Sequence, residues 1–141
     1  MSRRKARELA FKVLFQVDQV NADPLAAFKY LLEEGSLTAK DSDFAWSLIT
    51  GALERLEDID RVIAGYSKDW TVQRMSSVDR NLLRLASYEI IYDDSTQPVV
   101  AIDEALEISK RYSEPASVGF INAILDRIRI ERPEGHDTGK G

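Results

Sequence analysis

At 141 residues, 44% hydrophobic and 30% charged, the chain is one domain's worth of soluble globular protein, long enough to bury a core without metal or disulfides. It carries a formal net charge of −5 and no cysteine, which removes disulfides, thiol catalysis and thiolate metal sites together. No run approaches the roughly 18 apolar residues of a membrane span, and the basic N-terminus lacks the apolar segment of a signal peptide, so a cytoplasmic protein is expected.

The first predicted helix covers about 3–20 and holds the most uneven charge in the chain. Arg3, Arg4, Lys5, Arg7 and Lys12 face one acid, Glu8, within residues 1–12, which leaves 14 basic against 23 acidic side chains elsewhere. A basic end on an acidic body is either the footprint of a polyanion contact or a solvated terminus. Cations in the first turns of a helix oppose its macrodipole, so helix stability does not explain them; phosphate binding beside free backbone N–H groups does. Projected at about 100° per residue, Ala6, Leu9, Ala10, Val13, Val17 and Val20 share one arc, and Arg4, Arg7, Phe11 and Phe15 lie roughly opposite. Two readings stay open there. Either the helix is buried on two sides, or the phenylalanines and arginines offer an open surface on which unpaired RNA bases stack.

Asp23-Pro24 supplies an N-cap and a first-turn proline for a second helix that ends at Gly35. "LTAKDSD" reads as a loop, and "FAWSLITGALERL" as a third helix with Phe44, Leu48, Ile49, Ala52, Leu53 and Leu56 on its apolar face. A short fourth helix follows over about 57–67. The stretch 67–77 has no clean helical face and divides four helices from three. Ser76 or Ser77 caps a fifth helix with the stripe Val78, Leu82, Leu85, Ala86 and Tyr92. Pro98 opens a sixth, and Pro115 a seventh with Val118, Ile121, Leu125 and Ile128 inward. Seven helices with short connections predict an all-α domain over 1–131, built of two helical sub-bundles at about 3–67 and 76–131, with a polar disordered tail at 132–141.

An enzyme is not expected, nor a cofactor or a metal. The one histidine, His136, lies in the Gly-rich tail, and there is no glycine-rich phosphate loop. The carboxylates of "LEDID" and "YDDS" are explained by a helix start and a turn. Glu89 falls within an apolar stripe and needs a partner if buried. Trp46 and Trp70 read as core or hinge-packing residues.

"RRKARELAFKVLFQ", "SSVDRNLLRLASYEIIY", "PVVAIDEALEISK" and "SVGFINAILDRI" resemble, in order, the four recognisable blocks of the NusB family, from Arg3 to about Arg129. The resemblance implies two helical sub-bundles and a transcription antitermination factor. It implies partnership with NusE, a small-subunit ribosomal protein, on single-stranded boxA RNA, notably of ribosomal RNA leaders, within an RNA polymerase complex. The family's arginine-rich RNA-binding block matches Arg3, Arg4, Lys5 and Arg7. Lys110, Ser117, Phe120 and Asn122 match family residues expected near the RNA path, and Phe15 and Asp79 match the NusE-facing side. Asp103 stands where the family often has Asn, and Ala123 where it often has Gly. An acidic body beside a basic arm predicts weak RNA binding alone, strengthened by a basic partner. Other readings are a helical protein-interaction adaptor that binds no RNA and a relative of the N-terminal domain of ribosomal RNA cytosine methyltransferases. The end of the chain near residue 141 favours a stand-alone factor over the latter. The second apolar side of the first helix is also compatible with a homodimer.

Overall fold

The computed structural model describes residues 2–68 and 70–131; the expected tail at 132–141, His136 included, lies outside them. The described residues form seven α-helices and no strand: α1 (Ser2–Val20), α2 (Pro24–Glu34), α3 (Ala39–Glu54), α4 (Leu56–Tyr66), α5 (Ser77–Tyr92), α6 (Pro98–Tyr112) and α7 (Pro115–Glu131), with a single 3₁₀ turn at Val72–Arg74. None of these helices is long and apolar enough to cross a membrane.

Local chemistry sets most helix starts. Asp23 accepts the Ala26 N–H at 2.9 Å ahead of Pro24, and Ser76 accepts the Asp79 N–H at 3.1 Å. α3 differs from the sequence reading, because Thr38 caps it by accepting the Asp41 N–H at 3.1 Å. "AKDSD", read as loop, is its polar first turn. Its buried residues are Asp41, Ala45, Leu48, Ile49 and Ala52, while Phe44 is only half-buried.

α1 packs on α2, α3 and α5, and α5 on α1, α3, α4, α6 and α7. The sequence reading groups α4 with the first three helices; α4 packs chiefly on α5 and α7. α5 is therefore enclosed on nearly every side. Asp79, Asn81, Arg84, Ser87 and Glu89 are buried with its leucines and isoleucines, far beyond the single stripe the sequence predicts. Its polar residues do not mark a solvent face: Asp79, Asn81, Arg84 and Glu89 find partners on other segments, and the Ser87 hydroxyl is buried with no hydrogen-bond partner among the described residues. Arg84 pairs with Asp60 of α4 through two bonds of 2.8 Å, and Asn81 donates to Asp18 of α1 at 3.1 Å.

Candidate nucleic-acid interface

The core of α1 is wider than the first arc. Ala6, Arg7, Leu9, Ala10, Phe11, Val13 and Leu14 are all buried, so the helix is covered on two sides. Phe11 is a core ring, 5.6 Å from Tyr112 and 6.2 Å from Phe15. Arg7 is a core residue too, 6% exposed. Its guanidinium grips the buried Glu89 carboxylate through three bonds of 2.9–3.1 Å, which supplies the partner Glu89 requires. Burial pushes the Glu89 carboxyl above its ordinary value, and the hydrogen bonds and charge of Arg7 offset that only in part. A buried, neutralised arginine offers nothing to a phosphate, so Arg7 leaves the set of candidate RNA contacts.

The remaining arginines of the block are exposed but engaged. Arg3 lies 3.6 Å from Asp41 and stacks 3.8 Å over the Phe44 ring. Arg4 forms a planar fork with Glu104, both bonds 2.8 Å, and this holds the Glu104 carboxyl below its usual range. Lys5 has no ion pair among the described residues. Neither does Lys12, whose ammonium sits 5.9 Å from the Tyr112 ring. The partly exposed strip of α1 thus runs from the exposed Lys5 through the half-buried Glu8, Lys12, Phe15 and Gln16. Glu8 is crossed by α6: Arg111 donates to it at 2.8 Å, and the Tyr112 hydroxyl donates to its other oxygen. Burial first, then that hydrogen bond, raises the Tyr112 hydroxyl above its ordinary value.

Three shallow cavities follow this strip. One of about 460 Å³ lies between α1 and the end of α2, with Lys5 and Lys12 in its wall beside Glu8 and Glu34. The second, about 210 Å³, is almost wholly apolar and is shaped by Phe11, Phe15, Val78 and Tyr112 with Lys12 at its edge. The third, about 260 Å³, joins Trp70, Arg74, Asp79, Ser117 and Phe120. Lys12 is shared by the first two, and the adjacent residues Val78 and Asp79 join the second to the third. The track passes from α1 over the end of α6 and the start of α5 to the start of α7.

Of the residues singled out from sequence, Lys5, Phe15, Asp79, Ser117 and Phe120 lie along this track. Asp79 accepts from Ser113 at 3.1 Å and Ser117 at 2.9 Å, so the residue assigned to the partner side and one assigned to RNA share a pocket. Lys110 is exposed and paired with Glu107 at 3.0 Å. Asn122 is exposed on the flank of α7 opposite Phe120, about 200° away around the helix. Asp103 and Ala123 are exposed, so neither departure from the family pattern strains the fold. The sequence reading missed Tyr112, Arg111 and Trp70 as surface residues of this face. Tyr112 and Arg111 reach Glu8 from over 100 positions away. Trp70, expected as core or hinge packing, is 52% exposed.

An all-helical protein whose first helix exposes lysines beside aromatic rings is the class this geometry defines. The chain belongs to the NusB family, whose family model matches residues 4–129. The "Transcription antitermination protein NusB" of Syntrophomonas wolfei is 57% identical over 132 residues, 94% of this chain and 98% of that protein. That of Streptomyces coelicolor is 38% identical over 94% of this chain and 95% of its own. The fold superposes on T. maritima NusB with a TM-score of 0.87 at 39% identity, covering 96% of both chains. It also superposes on a crystal structure of antitermination factors NusB and NusE in complex with double-stranded RNA, with a TM-score of 0.84 at 29% identity over 92% of this chain and 97% of that one.

Proposed function

We propose that this chain is a transcription antitermination factor that binds boxA-type single-stranded RNA jointly with NusE and helps assemble an antitermination complex on RNA polymerase, chiefly for ribosomal RNA. The observation that carries this is the track of cations, aromatic rings and shallow cavities from Lys5 to Phe120. Lys5 and Lys12, with no ion pair among the described residues, take the first phosphates. Arg3 and Arg4 join by exchanging Asp41 and Glu104 for phosphate oxygens. Lys110 and Asn122 line none of these three cavities. Phe120 and Ser117 meet unpaired bases at the far end. The apolar middle, with Phe15 and Val78 beside Asp79, takes the NusE surface. Both ligands then lie against one another, and each strengthens the other's binding.

One observation favours a protein-interaction adaptor without direct RNA contact: Arg3, Arg4 and Arg7 each have a carboxylate partner, which weakens the field of the basic block. A titration of fluorescent boxA-type single-stranded RNA, with and without saturating NusE, decides between them. The antitermination reading expects RNA binding that tightens when NusE is present. Absence of RNA binding even with NusE bound establishes the adaptor.

A further inference from the structure

We propose that Trp70 and Phe120 are the two walls of a slot that receives one unstacked RNA base, and that Arg80 is the positioning residue that fixes the Trp70 wall; this rests on the RNA-binding reading above. Trp70 is the larger of the two rings and is 52% exposed, on the connection between α4 and α5 rather than in the core. A large aromatic side chain left half in water adds little to folding and offers a flat face to a base. It shares the cavity of about 260 Å³ with Phe120, Ser117, Asp79 and Arg74. Asp79, held by Ser113 and Ser117, supplies acceptor oxygens to this cavity. Arg74 is exposed, with no ion pair among the described residues, and matches the phosphate that must accompany a base.

A surface connection would ordinarily be mobile, yet this one is tied at several points. Ser67 donates to the Trp70 carbonyl at 2.9 Å, and the Trp70 N–H returns to the Ser67 carbonyl at 3.3 Å. Arg80 is the main clasp. Its Nη1 donates to the carbonyls of Val72, Gln73 and Met75 at 3.1, 3.3 and 2.9 Å. Its Nε and Nη2 donate to Asp18 of α1 at 3.0 and 2.8 Å. One side chain of α5 therefore locks the segment after Trp70 to the helix that carries Lys5 and Lys12. Holding the wall in place before RNA arrives removes an ordering cost from binding.

The test uses the full chain with Trp46→Phe, which leaves Trp70 as the only tryptophan. Titration with single-stranded boxA-type RNA is expected to quench Trp70 emission. Trp70→Ala weakens binding by about 5- to 150-fold, the range for losing one stacked base, with an unchanged Tm, and Trp70→Phe restores most of it. Arg80→Gln shifts Trp70 emission in the free protein and weakens RNA binding; should it fail to fold, Asp18→Asn loosens the same clasp and is expected to do both. Full-affinity RNA binding by Trp70→Ala, or RNA binding that leaves Trp70 emission unmoved, overturns the slot alone. No RNA binding by the unaltered chain, with or without NusE, removes the RNA reading and the slot with it.

Discussion

Arg7 and Glu89 form the most deeply buried ion pair among the described residues, both side chains almost wholly enclosed. Either partner alone would be a charge without water or counterion. Arg7→Ala is expected to cost about 3–5 kcal/mol, read as a fall in the urea midpoint, whereas Lys5→Ala leaves stability within about 0.5 kcal/mol. Near-wild-type stability of Arg7→Ala would show that the pair is not what holds α1 to α5. The acid limb of stability carries two opposite signs. Asp18 is pushed up by burial, but bonds from Arg80 and Asn81 and the charges of Arg80 and Arg84 outweigh that, so its folded value lies below 3.8. Its contribution is complete above 3.8 and is lost as pH falls through the lower folded value. Glu89 runs the other way: with its folded value raised above 4.5, its protonated form is favoured by folding, and that contribution is lost as pH rises through the folded value. Asp18→Asn is therefore expected to flatten the loss of stability below about pH 4, followed by urea melts at successive pH values. An unchanged acid limb would assign that loss to other carboxylates.

At the level of helices, α3 and α5 approach closely because Gly51 has no side chain. A Cβ there would meet the Tyr88 ring at 2.2 Å, so Gly51→Ala forces the ring aside. The expected cost is about 1–3 kcal/mol, and truncating the ring in Gly51→Ala/Tyr88→Ala makes the Gly51 change nearly neutral in that background. Additive losses in this double-mutant cycle would contradict the clash. The helix starts at Pro24, Pro98 and Pro115 and the Ser76 cap were legible because their chemistry is local. Thr38 was not, because a polar first turn resembles a loop until its cap bond is seen. The all-round burial of α5 was hidden for a different reason. Its buried arginine, asparagine and glutamate look like a solvent face, and the residues that neutralise them, Asp60, Asp18 and Arg7, lie on other helices. The site followed the same rule. Lys5, Phe15, Asp79, Ser117 and Phe120, singled out from the sequence and its family resemblance, line the cavities along this face. Arg7 was misplaced because its carboxylate partner lies 82 positions away, and Tyr112 was missed because it meets Glu8 from 104 positions away.

Across the whole molecule, most arginines among the described residues are occupied by carboxylates, whereas Lys5 and Lys12 on α1, like Lys29, Lys40 and Lys68 elsewhere, have no ion pair there. Arg3, Arg4, Arg7, Arg80, Arg84 and Arg111 each meet a carboxylate of another helix, which binds the helices together and lowers the field outside. Lys5, exposed, and Lys12, half-buried, are two turns apart on α1 and line the cavity beside α2. On the proposed reading, a polyanion engages them without displacing a carboxylate, as it must at Arg3 and Arg4. The most direct test compares the salt dependence of boxA-type RNA binding by the unaltered chain and by Lys5→Ala/Lys12→Ala, both with NusE bound. Loss of two phosphate contacts predicts weaker binding and a log K against log salt slope shallower by about 1.4 units, at roughly 0.7 per contact on a single strand. An unchanged affinity and slope in that variant, with both reduced in Arg3→Ala/Arg4→Ala, would place the RNA on the arginines and contradict the lysine track.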